Sequence, residues 1–353
     1  MSDTTLALAP SGVGFLRGPG YDLTLLLGVP ALAIAAGLTV GQRPDLFTLV
    51  LLLDLWLLGY HHVIATYTRL CFDRASFAQY RFAVLYLPLI VFATTVGLAA
   101  GLGLWVIGTV YLYWQWFHYT RQSWGIAQVY RRKAPQAFEE PRWLSFAAFY
   151  LLPLWGILSR SHQAPTTFLG LEIRIVPMPA AVVEVAAVAA QAALILWIAW
   201  RLRLWLRGQL PIAQTIFLLT HFAIFWLGYI AIGDISVGWL VMNIWHNAQY
   251  LLFVWLFNNQ RFKAGVDPAA KLLSWLSQSR NVALYFLLGL AVTSVVYLSL
   301  DFLLSDLMAI GGAVVLVYMA LNFHHYIVDS LIWKARKKPM QKVLGLNGSA
   351  ARR

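Results

Sequence analysis

The sequence predicts an all-α polytopic bundle of about ten transmembrane helices with both termini in the cytoplasm. Three observations lead there. Of the 353 residues, 60% are apolar and 11% are charged, against roughly 45–50% and 25% in soluble domains. Mean hydropathy is +0.69. The apolar residues, about 210 of them, supply about ten spans of about 20 residues and leave little for a soluble domain.

Apolar runs set against breaks of Gly, Pro and charge fall at 21–40, 46–70, 81–99, 102–130, 142–160, 179–206, 212–232, 235–260, 281–301 and 305–334. The first run opens at Asp22 and has no small-residue cleavage site after it, so it reads as a retained helix. Residues 131–141, with Glu139, Glu140 and Pro141, form a cytoplasmic loop, and residues 161–178 form the one sizeable outer loop. In the cytoplasmic connection 262–280 the run Lys271-Leu-Leu-Ser-Trp275-Leu is amphipathic, which suits the membrane surface. The chain divides into a cytoplasmic segment (1–20), the bundle (21–334) and a basic cytoplasmic tail (335–353).

Charge supports this count. With the N-terminus inside and the sides alternating, 23 of the 26 Lys and Arg fall in the cytoplasm; Arg43, Arg160 and Arg174 fall outside. That bias is the positive-inside rule. The net charge of +12 therefore reports topology, and the expected partner is the lipid bilayer rather than nucleic acid. The expected location is the inner (plasma) membrane of a bacterium. The single cysteine, Cys71, excludes a disulfide framework and any cysteine-based zinc or iron–sulfur site.

Seven of the eight histidines lie inside predicted helices: His61, His62, His118, His221, His246, His324 and His325. His162 falls in the outer loop. Ionisable side chains at membrane depth are costly and usually mark function. Counted to the nearest basic residue at the cytoplasmic helix end, these seven form a band about 10–23 Å deep at 1.5 Å per residue. Adjacent histidines differ by about 100° in direction, so a His-His pair can serve two metals, or one metal and one hydrogen-bond network. Imidazole suits iron, copper and zinc. Asp329 follows His325 by four residues, on the same face, as ligand or orienting group. Asp54 precedes His61 by seven, on roughly that histidine's face. Gln115, Gln122, Asn243, Asn247, Gln249, Asn322 and Tyr326 cluster along the same helices, and Arg69 and Arg121 stand within two turns of a histidine, as lipid or carboxylate anchors or as snorkelling groups.

In general design the chain resembles the integral-membrane histidine-rich non-haem di-iron oxygenases, the desaturase, hydroxylase and carotene-oxygenase type. The matching positions are His61, His62, His118, His246, His324 and His325. The family's histidine boxes are absent, since no two histidines stand three or four apart. The resemblance implies iron, two ions in the family's design, dioxygen, an electron donor and a lipid-soluble or isoprenoid substrate. His61-His62 is also similar to the His-His pair of the haem-copper oxidases, although no HxH motif is present. The expected function is thus a metal-dependent membrane oxidoreductase, with the seven histidines as metal ligands and Asp329 and Asp54 as catalytic carboxylates. A copper or zinc centre, a haem-b or quinone-linked electron carrier, a metal- or proton-coupled transporter and a structural scaffold are the alternatives.

Overall fold

The computed structural model describes residues 13–134, 138–307, 312–334 and 338–346. Most of the expected N-terminal segment, and residues 335–337 and 347–353 of the expected tail, lie outside the described residues. The chain is an integral-membrane helical bundle. Eight of its helical segments are long and apolar enough to cross a bilayer: α1 (Pro19–Gln42), α2 (Pro44–Leu70), α3 (Arg74–Leu102), α5 (Arg142–Gln163), α6 (Ala180–Leu206), α7 (Ile212–Ala231), α9 (Ser279–Asp306) and α10 (Ala313–Ile332). Two more, α4 (Leu104–Lys133) and α8 (Ile235–Arg261), are as long but more polar. Together they make ten segments among the described residues, the number that the sequence predicts.

The two polar segments are central. In α8 an unbroken run, 238–251, is buried, and the helix contacts α1, α2, α4 and α7. A helix need be apolar only where it faces lipid; α4 exposes one narrow stripe, Val110, Phe117 and Arg121, so both helices can carry amides, hydroxyls and histidines on their inner faces. The peripheral helices differ. Only 17% of the most apolar window of α3, α6 or α9 is buried, against 72% in α10; α10 is the third helix turned inward. Small residues let central backbones meet. A Cβ on Gly238 would collide with the Gly228 carbonyl, so α8 and α7 touch backbone to backbone.

Connections sort onto two sides. On one, the Asp22 carboxylate accepts from the Leu16, Arg17 and Gly18 amides and from the Tyr130 hydroxyl. There too Arg17 bonds Ser279, Arg261 pairs with Asp73 at 2.7 Å, and Arg201 and Arg131 meet the buried Glu140. On the other, Arg160 donates to the carbonyls of Gly228, Ile232 and Gly233 past the end of α7, and the Leu169 amide donates to Ser236. Each set joins loops that alternation of ten spans puts on one side.

Three details correct the expected boundaries. The helix expected from 81 starts at Arg74, capped by Asp73, whose carboxylate accepts from the Ser76 amide; it bends at Tyr80, which leaves helical geometry (φ −112°, ψ 17°). The break expected near 302–304 comes later. Residues 303–307 form a π-helical turn on α9, and α10 begins at Ala313. The outer loop holds a small antiparallel hairpin, β1 (Thr167–Phe168) and β2 (Leu171–Glu172). The amphipathic run does form a helix, Lys271–Leu276. It seats Leu273 and Leu276 on Trp255, Phe262 and Tyr285, the buried ends of α8 and α9, and leaves Leu272 and Trp275 exposed.

Sidedness is directly testable. In a Cys71→Ser background, cysteines at Ala264 and Gln209 should react with a membrane-impermeant maleimide only after the membrane is opened. A cysteine at Thr166 should react in intact cells. All three positions are exposed. The opposite pattern would invert the bundle.

Candidate metal centre

Four of the seven membrane histidines converge between α2, α4, α8 and α10. The rings of His62, His325, His118 and His246 form a closed circuit with centroid separations of 4.6, 4.9, 5.0 and 5.3 Å, the last returning to His62. Each is at most 6% exposed. Asp329 joins them: its Oδ2 lies 3.5 Å from His325 Nε2 and 4.0 Å from His118 Nε2. Two ligand groups result, His62/His246/His325 and His118/His325/Asp329, each with its donor atoms within 4.8 Å of one another.

The sequence builds this locally. On three helices one face repeats the same register: Tyr111, Gln115, His118, Gln122 on α4; Trp239, Asn243, His246, Tyr250 on α8; Tyr318, Asn322, His325, Asp329 on α10. The spacing i, i+4, i+7, i+11 is a single helical stripe. Each stripe puts an aromatic ring outermost, then an amide, then the histidine, then a polar group. On α2 the stripe is re-phased by a π-helical turn, Leu55–Gly59, a feature common at functional sites. Asp54 therefore shares a face with His62, not with His61 as uninterrupted helical periodicity implies. It accepts from Asn243 Nδ2 at 2.5 Å and Asn247 Nδ2 at 3.4 Å on α8.

Hydrogen bonds fix which nitrogen points inward. His62 Nδ1 lies 2.6 Å from the Gly59 carbonyl, which can only accept, so Nδ1 carries the proton and Nε2 the lone pair. His325 is set by a longer chain. Tyr250 donates to Asp329 Oδ1 at 2.7 Å and accepts from Trp333 Nε1 at 2.9 Å. Its one proton being used on the carboxylate, it must accept from Thr66, 2.8 Å away. The Thr66 oxygen then accepts from His325 Nδ1, also at 2.8 Å, and His325 Nε2 is left as a lone pair. Ring stacking holds the other two: His118 lies on Tyr326 at 4.0 Å and His246 on Tyr119 at 3.9 Å.

The inward atoms have no hydrogen-bond partner. Among the described residues, His62 Nε2, His118 Nε2, His325 Nε2, both nitrogens of His246 and Asp329 Oδ2 are buried and unpartnered. Each such atom costs roughly 1–3 kcal/mol. Counting one from each of the five residues, they would cost about as much as the ~5–15 kcal/mol that holds a typical fold together. A cation bound within these groups would remove much of that cost, and the donor chemistry fits a transition metal.

The remaining candidates lie elsewhere. His61 turns to α9, where a Cβ on Gly289 would collide with its ring and Phe286 packs edge-on at 6.0 Å. His324 turns to α3 and meets the Ala83 carbonyl at 2.7 Å and Tyr67 at 3.3 Å. His221 stacks on Phe149 at 3.6 Å, with Nε2 on the Phe149 carbonyl. These three serve packing. Of the seven histidines expected from depth as ligands, the structure brings four together and turns three elsewhere, because depth says nothing of direction. Asp54 is also outside the ligand group; it reaches it through Asn243, which accepts from Tyr119 at 2.5 Å. Thr66, Tyr250, Tyr119 and Trp333 were not singled out by the sequence, although three of them follow a site histidine by one or four residues.

No protein-family model, curated protein or solved structure matches the chain. The site must therefore be read from its own chemistry.

Beside the imidazoles lies a cavity of about 280 Å³ between α4 and α10, with α8 behind it. His118 and Asp329 line it; His62, His246 and His325 do not. The ligand group is thus open to the cavity on its carboxylate side and closed on the other.

Proposed function

We propose that this protein is a membrane oxidoreductase that holds one non-haem iron ion among His62, His118, His246, His325 and Asp329. Two overlapping groups of buried, unpartnered donors, one of which reaches a cavity through His118 and Asp329, carry this reading. Two histidines and a carboxylate with open positions are the ligand set of non-haem iron oxygenases, and the group His118, His325 and Asp329 meets the cavity through His118 and Asp329. The resemblance to histidine-rich membrane oxygenases points the same way. A single ion is favoured over two because His325 belongs to both groups, and with Nδ1 held by Thr66 it has one nitrogen to give.

Bound there, iron would supply the activation of dioxygen and the oxidation of a lipid-soluble substrate, with electrons from an external donor. The chain's part is to hold the donors and exclude water. Tyr326 and Tyr119 cover two imidazoles, and buried Trp239, Tyr111 and Tyr318 lie beyond them in the outer half. That aromatic plug disfavours a transport path. Ring contacts of 4.6–5.3 Å leave no slot for a porphyrin between two of these histidines, which disfavours haem. A bacterial inner membrane is the proposed location.

Metal analysis with an optical spectrum on one preparation tests the reading. The expected result is about one equivalent of iron without a Soret band. Two equivalents would overturn the single-ion assignment, and absence of iron, copper and zinc would overturn the metal centre.

A further inference from the structure

The cavity beside the imidazoles also limits what can react there. Its wall is apolar where Trp114, Phe117, Phe253 and Ile327 line it. Its lipid-side rim is marked by Phe117, 43% exposed, and Ser330, also exposed. Toward the basic ends of the helices it meets Trp333 and Met340. Met340 is 3% exposed and belongs to the short helix Lys338–Val343. Access is therefore sideways from the bilayer rather than from the aqueous side.

One cation lines this cavity among the described residues, Arg121. It stands three residues after His118, about 4.5 Å further along α4 at 1.5 Å per residue. The buried arginines have oxygen partners: Arg160 has backbone carbonyls and Arg201 has Glu140. Arg121, which is exposed, has no such partner among the described residues; it lies 5.9 Å from the Phe117 ring and within electrostatic range of Tyr150. A guanidinium at hydrocarbon depth with no carboxylate in ion-pair contact favours an anion, and its fork suits carboxylate or phosphate. At about 30 Å³ per small heavy-atom group, the space holds about ten such groups. That admits the head and first carbons of a chain, while the remainder stays in the bilayer.

On the metal-centre reading above, we propose that the substrate is a single-chain amphiphile with a carboxylate or phosphate head. The head sits on Arg121, and the oxidised carbon lies within a few bonds of it. A neutral isoprenoid or a mid-chain position would gain nothing from Arg121.

Binding to the full-length, metal-loaded protein in neutral detergent tests this, with dodecanoate, dodecyl phosphate, 1-dodecanol and inorganic phosphate as probes. Both anionic amphiphiles should bind at least about tenfold tighter than dodecanol. Arg121→Gln should erase that preference and leave dodecanol binding unchanged, Arg121→Lys should keep part of it, and Ile327→Trp should weaken all three chains. Inorganic phosphate binding as tightly as dodecyl phosphate would make Arg121 a free-anion site and overturn the proposal. So would equal affinities for dodecanol and dodecanoate. Metal content measured on the same samples keeps the two readings apart: lost head-group preference with iron present overturns only the substrate, and missing iron overturns the centre whatever binds.

Discussion

His325→Ala is expected to reduce bound iron from about one equivalent to below about a tenth, and to abolish turnover. His324→Ala should leave both in place. The two side chains are neighbours on α10, yet they diverge by about 100°. His325 is shared by both ligand groups, so its loss leaves neither intact and strands a buried carboxylate against the remaining imidazoles. His324 bonds the Ala83 carbonyl and Tyr67 on the far side of the helix, and its removal costs the order of 1 kcal/mol for a lost hydrogen bond. Because residue type, depth and helix are the same, a general loss of folding should strike both variants alike. The same contrast holds on α2, where His62→Ala should lose iron and His61→Ala should not. Elemental analysis of the four purified variants decides it. Equal iron in the members of each pair would mean that the imidazoles facing inward are not the ligands.

The fold was legible in the sequence to the number of helices, because length, hydropathy and charge bias are each set by the bilayer. The polar stretches of α4 and α8 still read as spans through their length and flanks. The structure adds why they can be polar: α8 is enclosed by other helices, and α4 exposes only the stripe Val110, Phe117 and Arg121. The histidine layer was legible as depth but not as direction, and Asp54 was assigned to the wrong face because the π-helical turn at 55–59 cannot be read from periodicity. One signal did lie in the sequence. Each converging histidine is followed four residues later by a polar group: Thr66 after His62, Gln122 after His118, Tyr250 after His246 and Asp329 after His325. The three that pack elsewhere are followed by Ala65, Val328 and Phe225. Position i+4 lies one turn on along the same face, so a histidine turned into a polar centre finds a polar neighbour there. One turned toward an apolar surface finds an apolar neighbour.

Three of those neighbours, Thr66, Tyr250 and Asp329, form the chain that fixes His325, and Thr66→Val cuts it with almost no change in volume. The expected result is a roughly 10- to 100-fold fall in iron affinity, the usual effect of removing a group that orients a metal-bound histidine. Without the Thr66 oxygen, the Nδ1 proton of His325 has no acceptor. The tautomer that presents Nε2 as a lone pair then loses its advantage. Tyr250, deprived of one donor, still bonds Asp329 and Trp333, so the carboxylate should stay in place. Thr66→Ser restores the hydroxyl and should bind iron within about threefold of the parent. Tyr250→Phe goes further, since it removes the donor to Asp329 and the acceptor for Thr66 together. It should weaken iron binding at least as much as Thr66→Val. Competition against a chelator at fixed pH gives the three affinities. Thr66→Val binding iron as tightly as the parent would show that His325 needs no orienting partner, and the tautomer assignment would fall. Equal losses in Thr66→Val and Thr66→Ser would point to packing at this position rather than to the hydroxyl.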